Sequence, residues 1–109
     1  MDNKREAQVK EILVHVAGEF LAREASKQSL ITVTRAEMTP DLKMATIFLS
    51  VFPESKEALA LAFCKRERSA FREYLRAKSS LHFPPTIDFE IDIGEKNRQR
   101  IEDLTRPNK

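Results

Sequence analysis

Residues 30–52 read Leu30-Ile31-Thr32-Val33-Thr34-Arg35-Ala36-Glu37-Met38-Thr39-Pro40-Asp41-Leu42-Lys43-Met44-Ala45-Thr46-Ile47-Phe48-Leu49-Ser50-Val51-Phe52. The run Leu30 to Met38 is rich in β-branched residues and lacks helical spacing, which predicts a strand. Thr39-Pro40-Asp41 supplies a turn, because Pro fixes φ and Asp can bond its own backbone. Leu42 to Phe52 sets Ala45, Ile47, Leu49 and Val51 against Met44, Thr46, Phe48 and Ser50, so it predicts a second strand. The connection is short, and the two strands are therefore expected to be antiparallel.

On the N-terminal side, Val9, Ile12, Leu13, Val16, Ala17, Phe20 and Leu21 follow i, i+3, i+4 spacing and predict a helix over 4–24. Gly18 lies within it at a cost of roughly 1 kcal/mol relative to Ala. It either permits close packing or is a tolerated surface glycine. A polar connection at 25–29 joins this helix to the first strand.

On the C-terminal side, Pro53 ends the second strand and Ser55 is placed to cap a long helical run. Leu59, Ala62, Phe63, Ala70, Phe71, Tyr74 and Leu75 give that run its expected inward face. Its apolar stripe breaks over Cys64-Lys65-Arg66-Glu67-Arg68-Ser69, and a kink is expected near Ser69. His82-Phe83-Pro84-Pro85 cannot continue a helix, since each Pro forces the preceding residue to be extended. Thr86 to Ile93 then alternates large apolar with acidic residues, which predicts a third strand with one core and one solvent face. Beyond Gly94, Ile101 and Leu104 allow a short helix, and 105–109 read as a frayed tail.

These elements predict one α+β domain, a three-stranded sheet with helices packed on one face in the order α-β-β-α(kinked)-β-α. The long helical run separates strands two and three, so the third is expected to cross over and pair beside one of the others. A chain of 109 residues can bury a single core. With 41% hydrophobic and 33% charged residues it has the balance of a soluble protein. No apolar run approaches the ~20 residues of a membrane span, and the N-terminus lacks the apolar core of a signal peptide, so no membrane partner and a cytoplasmic location are expected. A single cysteine and two histidines give no metal-ligand spacing and no internal disulfide, and no cofactor is expected.

Positive charge is concentrated. From Cys64 to Lys78 there are six Lys or Arg against two Glu, an excess of four, in a chain whose formal net charge is +2. Lys65, Arg66, Arg68, Arg72, Arg76 and Lys78 are the candidate phosphate contacts, because a basic helix face releases counterions from folded RNA. Each alone could equally be part of a solvated face, and Arg72 and Arg76 lie close to Glu73, which could partly occupy them. His82 could stack or donate, and Arg35 and Lys43 flank the hairpin and could extend the basic surface. The only glycines are Gly18 and Gly94, so the Gly-x-x-Gly clamp of many single-strand RNA binders is absent.

Other residues carry less. His15 is expected to be a partly buried helix residue. Cys64 lies beside Lys65 and Arg66, which could lower its pKa, but without a histidine partner it reads as packing. Asp88, Glu90 and Asp92 share an expected strand face where carboxylates can hold Mg²⁺, though a solvated face or, for Asp92, a local cap accounts for them as well. No convergent acid, base and nucleophile set is present, so an enzyme is not expected.

The element order resembles the type II KH domain. More specifically, Thr32-Val33-Thr34 followed by Thr39-Pro40-Asp41-Leu42-Lys43-Met44-Ala45, and then Pro85-Thr86-Ile87-Asp88-Phe89-Glu90-Ile91-Asp92, resemble the strand blocks of the ribosome-binding factor A family. Arg72 falls where that family carries an Arg thirteen residues before the proline of the second block. The chain departs from the family at Glu67-Arg68-Ser69, where an Ala-x-Gly kink is usual, and at Ser26-Lys27-Gln28, where Asp-Pro-Arg is common. The resemblance implies a KH-like domain over 1–105 that binds the immature small (30S) ribosomal subunit and its 16S rRNA. It further implies help in late maturation and rRNA end processing, a part in cold adaptation, and a free state that is monomeric. The rivals are a general RNA-binding module and a protein-interaction domain whose basic face meets an acidic partner.

Overall fold

The computed structural model describes residues 3–24 and 30–98. Helix α1 (Asn3–Glu24) leads into strands β1 (Leu30–Met38) and β2 (Met44–Phe52). A 3-10 turn (Glu54–Lys56) follows, then helices α2 (Glu57–Arg66) and α3 (Arg68–Lys78), strand β3 (Thr86–Ile91) and a helical stretch over 93–98. The expected α+β order is therefore present, with the sheet in the order β1-β2-β3. β1 and β2 are antiparallel, and the α2–α3 crossover brings β3 in parallel to β2.

The core lies between the helices and one face of the sheet. Ala45, Ile47, Leu49 and Val51 of β2 and Ile87 and Phe89 of β3 point into it. Leu13, Ala17, Phe20 and Leu21 of α1 cover them together with Cys64 of α2 and Phe71 and Leu75 of α3. Phe71 is the hub of an aromatic cluster, its ring 5.4 Å from Phe20 and 5.8 Å from Phe89, and Phe20 in turn lies 5.3 Å from Tyr74. Among the described residues, no buried side-chain polar atom lacks a hydrogen-bond partner.

β1 solves a conflict in its own pattern. Ile31 and Val33 belong on the core face, and strict alternation would send Arg35 and Glu37 after them. A bulge at Thr34 inserts one residue between the pairs Val33–Leu49 and Arg35–Phe48. Beyond it Ala36 is buried while Arg35 and Glu37 stay exposed.

Several expectations are corrected. The second strand begins at Met44, because Leu42 is held in the turn at φ 61°. The break in the helical run falls at Glu67, two residues before Ser69, where the Glu67 N–H bonds the carbonyls of Phe63 and Cys64. Ser55 caps nothing: it lies inside the 3-10 turn, and Lys56 is the N-cap of α2 with no side-chain bond. The inward face of α2 is Ala60 and Cys64, while Leu59 is 69% exposed and Ala62 and Ala70 are also outside. β3 ends at Ile91, short of Ile93. A Cβ at Gly18 would meet nothing within 4 Å, which supports the tolerated-glycine reading. The loop variant Ser26-Lys27-Gln28, the pair Ile101 and Leu104, and the tail lie outside the described residues.

Candidate nucleic-acid interface

Arg68, Arg72 and Arg76 recur every fourth residue and line one side of α3. That stripe looks toward β3 and the loop preceding it. Arg68 Nη1 donates to Asp88 Oδ1 at 3.3 Å. Arg72 donates from Nη2 to the Pro84 carbonyl at 2.7 Å and from Nε to the Pro85 carbonyl at 3.1 Å. Arg76 pairs with Glu73 at 3.4 Å, whereas Arg72 makes no bond to that carboxylate. Arg72 is thus a fastening for the loop over 79–85 before it is anything else.

Lys65, near the end of α2, reaches the acidic residues of β3. Its Nζ lies 2.9 Å from Asp88 and 3.3 Å from Glu90. The hydrogen bond to Asp88 raises the Lys65 pKa above its ordinary value. Burial pushes Asp88 upward, but its bonds to Lys65 and to the Phe89 N–H, with the charge of Arg68, leave its pKa below the ordinary carboxylate value. The acidic strand face expected to be bare solvent is therefore clasped by two helix cations. β3 is an edge strand, and these side chains reach across its edge.

Lys43 sits in the hairpin turn, and its carbonyl accepts from the Thr86 N–H at 2.8 Å, which docks the turn beside the first residue of β3. The turn itself is built as its residues suggest: Asp41 Oδ1 accepts from Thr39 Oγ1 at 2.6 Å and from the Lys43 N–H at 3.1 Å. The start of β3 consequently gathers Lys43, Arg68 and Arg72, while His82 is exposed in the loop before it. Arg68, Ser69, Arg72, Thr86 and Ile87 line an open cleft there. Arg66 and Lys43 are exposed, and the charge of Lys43 acts on the neighbouring Asp41 carboxylate. Lys78 lies 5.7 Å from the centre of the Tyr74 ring.

Arg35 stands apart on the open face of the sheet. Its guanidinium lies 3.9 Å above the Phe48 ring, pairs with Glu37, and donates from Nε to Asp92 at 3.3 Å. Asp92 is 5% exposed and lies just past β3. It accepts from Thr34 Oγ1 at 2.6 Å and from the Glu95 N–H at 3.0 Å, so it caps the helical stretch over 93–98 and pins the β1 bulge. The cap reading of Asp92 holds, and it does not share a metal-binding face with Asp88 and Glu90. Among the described residues no group of three His, Cys, Asp or Glu is placed to hold a metal.

Two further expectations change. His15 is exposed and pairs with Glu19 at 3.3 Å. Cys64 is wholly buried, and burial pushes its thiol up to about 11, the opposite of the lowering that Lys65 and Arg66 suggested. Ser69 and Thr86 line the same cleft and Phe83 is exposed in the loop before it, none of them marked by charge in the sequence. The signal for Phe83 was available, since an aromatic between His82 and a Pro-Pro pair has little local chain to fold against.

The profile of the ribosome-binding factor A family matches residues 4–105. The chain belongs to that family. Ribosome-binding factor A of Rhodopseudomonas palustris (strain BisB5) is 30% identical over 110 residues, covering 96% of this chain and 81% of its own. That of Methylobacterium sp. (strain 4-46) is 30% identical over 112 residues, covering 98% and 81%. The fold is similar to the crystal structure of ribosome-binding factor A from Thermus thermophilus, with a TM-score of 0.69 at 19% identity over 78% of this chain and 93% of that one. A homology model of Thermus thermophilus ribosome-binding factor A, as fitted into an electron cryo-microscopy map of its 30S complex, is similar at a TM-score of 0.63 and 18% identity, over 72% and 86% of the two chains. No helix among the described residues is long and apolar enough to cross a membrane.

Proposed function

We propose that this protein binds the immature small (30S) ribosomal subunit through its 16S rRNA and assists late maturation, including processing of the rRNA ends. It acts by binding and not by catalysis, as a cytoplasmic protein that is monomeric when free. Family membership over nearly the whole chain is the observation that carries the reading. A family member fitted into a 30S complex supports the partner. The grouping of Lys43, Arg68 and Arg72 at the start of β3 supports a phosphate-contacting surface, extended along the helices by Lys65, Arg66, Arg76 and Lys78 and, in the exposed loop, by His82. Arg35, held by Asp92, Glu37 and Phe48, contributes to the fold of the open sheet face and is the weakest of the contacts.

The test is co-sedimentation with isolated small subunits, large subunits and assembled ribosomes at low and high salt. Selective migration with small subunits that weakens with salt is expected. Joint charge reversal by Arg66→Glu, Arg76→Glu and Lys78→Glu should weaken it at least about ten-fold, since each lost phosphate contact removes counterion release. Equal association with every RNA-containing particle would instead identify a general RNA binder, and no association would point to a protein partner. In cells, removal of the protein is expected to leave unprocessed 16S ends and to slow growth in the cold.

A further inference from the structure

Phe83 is 93% exposed, and the chain on both sides of it is fastened. Pro84 and Pro85, which follow it, are buried, and their carbonyls both accept from Arg72. Before it, Ser79 Oγ donates to the Leu75 carbonyl at 2.7 Å and accepts from the Leu81 N–H at 3.2 Å, and Leu81 packs against the core. His82 and Phe83 thus form a two-residue projection between anchored neighbours. Burying a Phe side chain is favourable, and this loop forgoes that gain. A lone exposed apolar residue on a loose loop needs no explanation. An aromatic ring held outward by bonds on both sides is pre-organised for a contact.

The surroundings identify the contact. The guanidinium of Arg72 touches the residue next to Phe83, and the cleft formed by Arg68, Ser69, Arg72 and Thr86 begins within about 10 Å of chain. The Lys43 carbonyl accepts from the Thr86 N–H, and no acidic residue occurs between Lys78 and Ile87. A flat apolar ring beside cations and hydroxyl donors complements a nucleotide, whose base offers a π-face and whose phosphate offers anionic acceptors. A duplex keeps its bases stacked on one another, so the nucleotide must be unpaired. Resting on the RNA-binding reading above, we infer that Phe83 is a stacking platform for an unpaired base of the rRNA, with the neighbouring cleft receiving a backbone phosphate of the same strand.

The chain contains no tryptophan, so Phe83→Trp introduces a single indole. Its fluorescence should be quenched by a short unstructured oligoribonucleotide and not by that strand annealed to its complement. Measured on isolated small subunits, Phe83→Ala and Phe83→Leu should each weaken binding about ten-fold, and Phe83→Trp should retain it. Unchanged circular dichroism is expected throughout, because the Phe83 side chain is exposed and is not part of the core. Wild-type affinity for Phe83→Leu would make Phe83 an apolar anchor for a protein pocket and overturn the inference, as would absence of quenching by the single strand. If charge reversal at Arg66, Arg76 and Lys78 weakens subunit binding while Phe83→Ala does not, the stacking site falls and the RNA-binding reading stands. If neither variant changes it, both fall.

Discussion

At the scale of single residues, Asp92 shows how much one buried carboxylate can organise. Burial alone would raise its pKa, but the Thr34 hydroxyl, the Glu95 N–H and Arg35 outweigh that and hold it below the ordinary value. The folded state therefore favours the charged form. That stabilisation is complete above the unfolded carboxylate pKa of about 3.9 and is lost as pH falls through the lower folded value. Urea unfolding should show constant stability near neutrality and a decline below about pH 4, and Asp92→Asn should flatten part of that decline. Asp92→Ala removes the cap and the bonds from Thr34 and Arg35, leaving the Thr34 hydroxyl the Phe48 carbonyl at 3.2 Å, and should lower stability by about 1–2 kcal/mol, with Asp92→Asn losing less because Asn still caps. Cys64 makes the converse case. Buried, and with its thiol pushed up to about 11, it should resist thiol reagents in the native protein and react at once in denaturant.

At the scale of elements, the helix cations divide into those that hold β3 and those left for a partner. Lys65 and Arg68 bind Asp88 through side chains 35% and 49% exposed, so the clasp contributes at most about 1 kcal/mol. Asp88→Ala should cost the fold little and should release Arg68, while Lys65 keeps its pairing with Glu90. Subunit binding is then expected to tighten, with a steeper dependence on salt, in a co-sedimentation series. Arg72 is different because two loop carbonyls depend on it. Arg72→Ala should destabilise by about 1–3 kcal/mol in thermal melts, and Arg72→Lys should not restore the loss, since an ammonium cannot reproduce two directed N–H bonds. This distinction was hidden in the sequence, where Arg68, Arg72 and Arg76 are three equivalent cations at helical spacing. Their partners lie 12 to 20 residues away for Arg72 and Arg68, beyond the reach of any local pattern.

At the scale of the whole molecule, α1, α2 and α3 cover one face of the sheet, and no helix among the described residues packs its apolar side on the other. Leu30, Met44 and Phe52 are exposed on it, at 65%, 58% and 72%. Stability must then come from the single covered face, and Phe71 is at its centre, wholly buried between Phe20 and Phe89. Phe71→Ala should cost about 3–5 kcal/mol, a large share of what a domain of this size has. A lower denaturant midpoint with an unchanged slope would be the expected record of that loss.

From the sequence alone, the spacing of Val9 to Leu21 determined α1, and the alternation from Ala45 to Val51 determined β2. The density of β-branched residues from Leu30 to Met38 determined β1. Each depends on contacts between an element and a flat or cylindrical core, which repeat along the chain and leave a period in it. The cluster of Lys and Arg from Lys65 to Lys78 was legible for the same reason. Only the tertiary structure decided the bulge at Thr34, the break at Glu67 in place of Ser69, the clasp of Lys65 on Asp88, and the burial of Asp92 against Arg35. These are single contacts between distant residues, set by how the β2–β3 crossover brings strand ends together, and a contact made once leaves no period to read.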